Sequence, residues 1–326
     1  MSILICGGAG YIGSHFAHEL KKAGYDCIIY DNLSRGHKEA VSGLNLIQGD
    51  LLDSAELDKV FAAYKIEGVI HFAASSLVGE SMKYPIDYYE NNLSGTINLI
   101  KSMQKSNVKT IVFSSTCAVY GIAGQIPITE ETPLDPINPY GQTKLAIEQF
   151  LKWCDTAHGI KSVSLRYFNA AGADPSGKLG EDHAQETHLI PLVFMAAIDK
   201  NRKLQVYGND YPTKDGSCIR DYIHVLDLAD AHIKALRYLL EGGGSQVFNL
   251  GSETGISVLE ILSAAQNISG KEIAFEITER RPGDPATLIA SSEKARRILN
   301  WRPVRSDPET ILKDAWLWHS THPAGY

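Results

Sequence analysis

Short apolar segments alternate with longer segments of helical periodicity through the first half of the chain. The apolar segments are bounded by Gly, Asn or Asp and predict strands at residues 2–6, 27–30, 45–48, 68–72, 110–114 and 162–166. Because nearly every position in them is apolar, we expect burial on both faces, as in a parallel sheet. The intervening segments predict helices at residues 11–23, 54–64, 85–105 and 139–158. This alternation indicates an α/β fold built on a doubly wound parallel sheet.

The pattern changes after residue 166. Residues 169–184 are rich in Gly, Ala and Asp and predict a loop. Helices are then predicted at 189–199 and 226–240, strands at 219–224 and 247–250, and a mixture of short helices and loops elsewhere. We expect two domains: residues 1–170 around the parallel sheet, and residues 171–326 as a smaller α+β domain that lends some elements back to it.

The composition is that of an ordinary globular protein. Of 326 residues, 44% are hydrophobic and 21% are charged, which argues against a disordered chain. The 31 Lys and Arg residues against 38 Asp and Glu give a net charge of −7, so no basic surplus favours nucleic acid or an anionic membrane as a partner. The sequence shows neither a signal-peptide pattern nor an apolar run of about 18 residues. The five cysteines are scattered without a CxxC pair, so we expect reduced thiols and a cytoplasmic protein.

A glycine-rich turn follows the first predicted strand and opens the first predicted helix. Residues 7–13, GGAGYIG, satisfy the spacing G-x-G-x-x-G and equally G-x-x-G-x-x-G. Glycines let a pyrophosphate approach the free N–H groups at a helix N-terminus, where the helix dipole favours an anion. The turn is therefore a candidate dinucleotide cradle. Its candidate cofactor contacts are Gly7, Gly10, Tyr11, Ile12 and Gly13.

An acidic residue ends the second predicted strand. Asp31 lies 18 residues past Gly13, near the ~20 typical of a carboxylate that binds the adenosine ribose hydroxyls. A carboxylate there repels a 2′-phosphate, so NAD is favoured over NADP, although Arg35 lies nearby. The simpler interpretation is that Asp31 begins an ordinary turn. Further candidate cofactor contacts follow the second, third and fourth strands: Asn32, Asp50, Leu51, Phe72, Ala73 and Ala74.

A second group of candidate residues lies where the last long helix of the first half begins. Asn138 is a good N-cap and Pro139 suits the first helical position, so Tyr140 and Lys144 fall four residues apart on one helical face. A free tyrosine has a pKa of about 10, and lowering it by about three units takes roughly 4 kcal/mol. A nearby lysine ammonium can supply part of this, with the helix N-terminus and an oxidised nicotinamide ring adding more. Tyr140 would then be a usable proton acceptor.

Hydroxyl side chains end the fifth predicted strand, at residues 114–116. A hydroxyl there is suited to hydrogen-bond the substrate oxygen that exchanges a proton with Tyr140. A Tyr-x-x-x-Lys pattern alone is more often a solvated helix face. Its position after a nucleotide cradle and a Ser/Thr strand end favours a catalytic site.

Together, the glycine turn, Asp31, residues 114–116 and the Tyr140/Lys144 pair resemble the extended short-chain dehydrogenase/reductase family. The resemblance covers nearly the whole chain and includes residues 78–81, 88–92, 166–169, 220–225, 249–251 and 280–284. It implies a Rossmann-type domain that binds NAD and a second domain that binds a UDP-sugar. It also implies a homodimer joined through the helices at 85–105 and 139–158.

Within the family, the chain is most similar to members that epimerise UDP-sugars at C4. In these, a hydride leaves sugar C4 for tightly held NAD, the 4-keto sugar turns about its diphosphate link, and the hydride returns to the opposite face. The resemblance implies that Tyr140 is the acid/base, that Lys144 holds the nicotinamide ribose and tunes Tyr140, and that Thr116 aligns the sugar oxygen. It adds cofactor contacts at Asn91, Ser114 and Tyr167. It adds UDP-sugar contacts at Asn169, Leu189, Tyr207, Arg220, Arg281, Asp284 and Leu288.

Other functions remain open at this point. Dehydratases and decarboxylases of the family place acidic residues just after the Ser/Thr position, where this chain has Cys117 and Ala118. Leu288 lies where relatives have a bulky tyrosine or a small residue, and a small residue admits N-acetylated sugars. We expect UDP-glucose and UDP-galactose as the main pair, with the UDP-N-acetylhexosamines or a UDP-pentose as alternatives. The non-enzyme alternative is an NAD-sensing regulatory protein.

Three histidine pairs have the spacing of metal ligands: His15/His18, His183/His188 and His319/His322. No cysteine or carboxylate cluster is expected to complete a site around any of them, so we expect no metal.

Overall fold

The computed structural model describes residues 1–281 and 283–326. Its strands are β1 (Ser2–Cys6), β2 (Asp26–Asp31), β3 (Asn45–Gln48), β4 (Ile66–His71), β5 (Thr110–Ser114), β6 (Lys161–Tyr167), β7 (Asn169–Ala171), β8 (Leu204–Tyr207), β9 (Ile219–His224), β10 (Gln246–Leu250), β11 (Gly255–Ser257), β12 (Phe275–Thr278) and β13 (Thr287–Leu288). Its α-helices are α1 (Tyr11–Lys22), α2 (Ser54–Ala63), α3 (Val78–Ser81), α4 (Pro85–Tyr88), α5 (Gly95–Lys105), α6 (Pro139–His158), α7 (Leu189–Ile198), α8 (Val225–Leu240), α9 (Val258–Ser269), α10 (Glu293–Leu299) and α11 (Pro308–Thr321). Among these described residues, none of the helices combines the length and the apolar character that crossing a membrane requires.

A parallel sheet of seven strands organises the fold, in the order β10-β6-β5-β4-β1-β2-β3. The strand order reverses between β1 and β4, and such a switch point opens a crevice at the carboxyl ends of the strands. Gly7 follows β1 and Phe72 follows β4, so two candidate cofactor segments meet at this crevice. The predicted doubly wound α/β fold is confirmed.

Both faces of the sheet are covered by apolar cores. On β1, Ile3 and Ile5 belong to a core shared with α1 and α8, while Leu4 and Cys6 belong to a core shared with α2, α5 and α6. All four side chains are inaccessible to solvent. Successive side chains of a strand point to opposite faces, so a strand buried on both sides must be apolar throughout.

Smaller sheets follow in the second half of the chain. Strand β9 pairs with β7, β11 and β13, and β8 pairs with β12. Helices α7, α9 and α11 surround a separate core that contains Phe194, Leu262 and Leu312. Strand β10 joins the seven-stranded sheet, and α8 packs against α1 on one face of it. The division of the chain at residue 170 stays a prediction.

The helix predicted at 85–105 is confirmed in its bounds, and it contains a π-helical segment, Tyr89–Ser94, between α4 and α5. Two other predictions of local structure are wrong. The loop predicted at 169–184 begins with β7, which is three residues long and too short to give a periodic signal. The short helices expected near the end include α9 and α11, of 12 and 14 residues. Strands β8 and β12 were not predicted, and the mostly exposed residues of β12 explain why its pattern is weak.

Candidate active site

The glycine turn is built so that α1 begins directly at the crevice. Gly7 has φ +75°, and a Cβ there would lie 2.4 Å from Ala73 N, while a Cβ on Gly13 would lie 2.2 Å from Gly7 O. At Gly10 the nearest atom to a Cβ would be Gly7 O at 3.6 Å, an ordinary van der Waals distance, so the fold itself leaves room for a side chain there. Within the described residues, no side chain caps α1 and no acidic residue lies in its first turn. The turn therefore offers helix N–H groups to an anion, as a dinucleotide pyrophosphate requires.

Asp31 anchors this turn as well as lining the crevice. Its two carboxylate oxygens accept hydrogen bonds from Ala9 N and Leu33 N, each at 2.8 Å. Burial raises the pKa of the Asp31 carboxyl, and the two backbone hydrogen bonds oppose the rise. Each carboxylate oxygen keeps a free lone pair for a ribose hydroxyl. Arg35 is paired with Glu80 at 2.8 Å, so its guanidinium is already engaged by a carboxylate.

Other predicted cofactor residues gather near these two strands. Asn32 donates to the Asp50 carboxylate at 2.8 Å, and Leu51 is buried beneath Gly95 of α5. Ala73 N donates to Cys6 O at 3.0 Å, which joins the ends of β4 and β1. The Tyr11 hydroxyl donates to Gly172 O at 2.6 Å, so its phenol is occupied within the protein. Ile12 and Phe72 pack against the core on the α1 face, and Ala74 follows Ala73.

Helix α6 carries the candidate catalytic pair into the crevice. Asn138 accepts a hydrogen bond from Gly141 N at 2.8 Å, which confirms the predicted N-cap. The Lys144 ammonium lies 5.9 Å from the Tyr140 ring centre and donates to Ser114 O at 2.7 Å. The Ser114 and Tyr167 hydroxyls are hydrogen-bonded to each other. Thus β5, β6 and α6 bring together four of the predicted site residues.

Burial shifts the ionisation of both members of this pair. Tyr140 is partly exposed, but its phenol group is surrounded by protein, and this desolvation raises the tyrosine pKa. Nearby Tyr167 adds to the rise, and the Thr116 hydroxyl works in the opposite direction. Burial also lowers the pKa of Lys144 to about 7, against the effect of Glu148. The lowering of the Tyr140 pKa that we expect beside an oxidised nicotinamide ring stays a prediction.

A buried polar network behind the catalytic pair was not predicted. Arg166 on β6 donates to the Glu148 carboxylate on α6 at 2.9 Å and to the Tyr120 hydroxyl at 2.9 Å. Tyr120 donates in turn to Asn249 at 2.6 Å, and Ser115 donates to Glu148. The network holds α6 against the ends of β5, β6 and β10. Residues 166–169 and 249–251 are among the segments that carry the family resemblance, so the sequence marked Arg166 and Asn249. The resemblance assigned neither side chain a role.

The π-helical segment places two asparagines at the same edge. Asn92 is buried and donates to Ser75 O at 3.0 Å and to the Thr143 hydroxyl at 3.1 Å. The predicted cofactor residue Asn91 lies 3.4 Å from the Ser75 hydroxyl. Single π turns occur often at functional sites because they redirect side chains within a helix. Asn92, which was not predicted, thus ties the β4 end to α6.

The predicted sugar-nucleotide residues form two groups. Arg220 on β9 pairs with Asp284 at 2.7 Å and lies opposite Leu288 of β13. The Arg281 guanidinium stacks 3.9 Å from the Tyr207 ring centre. Asn169 donates to Asp221 O at 2.8 Å, and Leu189 begins α7. Residue 282, within one of the family-like segments, lies outside the described residues.

The expectation that no carboxylate completes a histidine pair is wrong. Glu181, His183, Glu186 and His188 offer ligand atoms that all lie within 4.8 Å of one another, and we call this group the 181–188 cluster. Among the described residues it is the only group of this kind. The pairs His15/His18 and His319/His322 are not part of one.

The chain is similar to proteins of known activity over its full length. Residues 3–251 match the family described as NAD dependent epimerase/dehydratase family. The chain is 53% identical over 326 residues to the UDP-glucose 4-epimerase of Halalkalibacterium halodurans, covering 100% of this chain and 98% of that protein. The structure of UDP-glucose 4-epimerase from Bifidobacterium longum in complex with NAD+ and UDP matches with a TM-score of 0.95 at 40% identity, covering 100% of both chains. That of the UDP-Glc/GlcNAc 4-epimerase from Campylobacter jejuni matches with a TM-score of 0.86 at 41% identity, covering 98% of this chain and 99% of that chain.

Proposed function

Because this chain belongs to the NAD dependent epimerase/dehydratase family, we propose that it interconverts UDP-galactose and UDP-glucose as an NAD-dependent UDP-glucose 4-epimerase. The observation that carries the proposal is the meeting of Tyr140 and Lys144 with the β5 end, in a crevice that also holds the glycine turn and Asp31. The Cys117 and Ala118 side chains after Thr116 provide no carboxylate for dehydration, which supports chemistry at C4 alone.

NAD⁺, when bound, supplies a reversible hydride acceptor for sugar C4. Tyr140 is the acid/base: its phenolate accepts the proton of the 4-hydroxyl, and the resulting phenol returns a proton to O4 after C4 is reduced from the other face. Thr116, which is buried at the β5 end, aligns O4 with Tyr140. Lys144 positions the nicotinamide ribose, and its charged form favours the Tyr140 phenolate.

The sugar nucleotide is held mainly from the second half of the chain. Arg220 and Arg281 offer planar guanidinium groups that match a diphosphate, which an acidic protein must bind through dedicated residues. Their present partners, the Asp284 carboxylate and the Tyr207 ring, hold them in place. We propose that residues 1–170, with β10 and α8, form the NAD-binding domain and that the rest binds the UDP-sugar.

The direct test is an assay of the purified chain with UDP-galactose and no added NAD. We expect UDP-glucose to form, because the cofactor is regenerated in each turnover. Product establishes C4 epimerisation with a retained cofactor. Absence of product even with added NAD contradicts the proposal and directs the same assay to UDP-N-acetylgalactosamine and UDP-pentoses.

Leu288 is the residue on which the choice between hexose and N-acetylhexosamine depends. It packs with Cys117 against the core beneath the Thr116 turn, and the Campylobacter jejuni relative is described as acting on both sugar classes. Leu288→Tyr is expected to lower kcat/KM for UDP-N-acetylgalactosamine relative to UDP-galactose by about 10-fold or more, as a filled pocket discriminates. Leu288→Ala should move the same ratio in the opposite direction. Equal ratios in all three proteins would remove Leu288 from the specificity argument.

We propose that the enzyme is a homodimer in the cytoplasm. Helices α3 and α4 contact α6, and α4 and α6 each carry a large exposed apolar side chain, Ile86 (78% exposed) and Trp153 (70% exposed). Exposed apolar groups mark an interface where they form one contiguous patch, so the proposal requires these two side chains to share a surface. Light scattering should give twice the chain mass, and Trp153→Glu should shift the protein toward monomer. The five unpaired cysteines support a reducing compartment.

A further inference from the structure

The 181–188 cluster lies on the segment between β7 and α7. Its last member, His188, directly precedes the first residue of α7. The Glu181 and Glu186 side chains are 4% and 3% exposed, His183 is 21% exposed and His188 is 48% exposed. The group therefore has a buried carboxylate floor and an opening to solvent at His188.

The spacing of the ligand atoms is close to that of a four-coordinate metal site. His188 Nδ1 lies 2.7 Å from Glu181 and 3.3 Å from Glu186, and His183 Nδ1 lies 3.0 Å from Glu186 and 3.7 Å from Glu181. Ligand bonds of 2.0–2.2 Å in a tetrahedron require ligand atoms about 3.3–3.6 Å apart. The four imidazole–carboxylate separations run from 2.7 to 3.7 Å, with His183 and His188 facing different oxygens of Glu186, and one ligand atom of each residue lies within 4.8 Å of the others. An ion would therefore require the closest pairs to move apart and one Glu186 oxygen to serve as the ligand.

Hydrogen bonding within the protein leaves one ligand atom unsatisfied. Among the described residues, Glu181 Oε1 is buried and accepts no hydrogen bond, although His188 Nδ1 lies 2.7 Å from it as an ion-pair partner when the imidazole is protonated. The Glu181 main chain is fixed by the Trp318 indole, which donates to its carbonyl at 3.2 Å. Glu186 is oriented by backbone N–H groups of Thr187 and His188, each 2.7 Å from Oε1. A fixed, buried and unsatisfied carboxylate oxygen beside two imidazole nitrogens is a site for a cation.

We propose that the 181–188 cluster binds one divalent transition-metal ion per chain, with Zn²⁺ the best fit. Two imidazole nitrogens and two carboxylate oxygens suit Zn²⁺, whereas Mg²⁺ and Ca²⁺ prefer six or more oxygen ligands. Four protein ligands close the site, so the ion is structural rather than catalytic. It pins the segment that leads into α7, whose first residue, Leu189, is a predicted UDP-sugar contact. This inference does not depend on the proposed epimerase activity.

The same side chains also fit a metal-free arrangement of protonated histidines paired with carboxylates, and the experiment separates the two. The full chain, without an affinity tag, is stripped with a chelator and titrated with Zn²⁺ against a chromophoric competitor, with and without excess Mg²⁺. The variants are His183→Gln and the isosteric Glu181→Gln. His158→Gln is the matched control, because His158 is an exposed histidine at the end of α6.

We expect the wild type and His158→Gln to bind one Zn²⁺ per chain, unaffected by Mg²⁺. Each cluster variant should bind at least about 100-fold more weakly, since loss of even an outer partner of a metal ligand costs 10–100-fold. Zn²⁺ should raise the Tm of the wild type and not that of the cluster variants. Absence of stoichiometric binding in the wild type, or equal binding in all four proteins, would overturn the site.

A second measurement needs only the wild-type chain. Co²⁺ in place of Zn²⁺ should give the intense visible absorption of a four-coordinate ion. The weak absorption of a six-coordinate ion would overturn the closed four-ligand site.

Discussion

Replacing Tyr140 with phenylalanine is expected to reduce kcat for UDP-galactose by about 10²- to 10⁴-fold, the usual contribution of a positioned acid/base. The substitution removes only the hydroxyl, and the ring continues to fill its place beside Lys144. NAD content, measured after denaturing the purified protein, should stay at the wild-type value. The loss should therefore appear in kcat and leave cofactor retention unchanged.

Tyr25→Phe is the control for this substitution, because the Tyr25 hydroxyl meets only Arg237 among the described residues, away from the crevice. Its turnover should equal that of the wild type. If Tyr140→Phe keeps more than about a tenth of the wild-type kcat, the smallest acid/base contribution is missing and another group moves the proton. A wild type that binds NAD yet turns over no UDP-sugar would instead favour the regulatory alternative.

The pKa values of the pair explain why the cofactor matters to this chemistry. Desolvation raises the pKa of Tyr140 and lowers that of Lys144 to about 7, so at neutral pH the chain alone favours phenol over phenolate and holds Lys144 only partly charged. If NAD⁺ binds as proposed, Lys144 would hold the nicotinamide ribose, whose hydroxyls would favour the ammonium, and the positive ring would favour the Tyr140 phenolate. The sequence could predict the partners and their spacing. It could not predict how strongly burial would raise the Tyr140 pKa, since burial depends on β5, β6 and α6 closing together.

The parts of the molecule that follow local rules were predictable. Strand β1 and helix α6 have the predicted bounds, because a fully apolar run and an Asn-Pro start are local signals. The π turn at Tyr89–Ser94 has no such local signal. Its side chain Asn92 is instead held by long-range hydrogen bonds to Ser75 and Thr143. The 181–188 cluster was missed for a related reason: its four side chains are separated by irregular spacings in a loop, where no periodicity says which way each one points.

The pairing of Arg166 with Glu148 is a long-range feature of the same kind, and it leads to the second large expected effect. Replacing Arg166 with methionine is expected to lower the free energy of unfolding by about 3–5 kcal/mol. The two side chains are 4% and 7% exposed, so the Glu148 carboxylate would be left buried without its arginine partner and would keep the hydrogen bond from Ser115. Urea unfolding at saturating NAD measures the change, since a fixed cofactor concentration keeps the binding contribution constant.

The double variant Arg166→Met/Glu148→Leu separates the cost of a broken pair from the net contribution of the pair. Removing both charges leaves no unpaired ion, so the double variant should be more stable than Arg166→Met alone and close to the wild type. Arg296→Met breaks an ion pair with Glu253 whose side chains are 33% and 31% exposed, and it should cost at most about 1 kcal/mol. If the single and double Arg166 variants are equally unstable, then the lost packing of the arginine methylene groups, rather than charge burial, explains the lower free energy of unfolding.

Glu148 lies one helical turn beyond Lys144. A stable double variant with reduced kcat would therefore show that this ion pair positions α6 for catalysis beyond what folding requires.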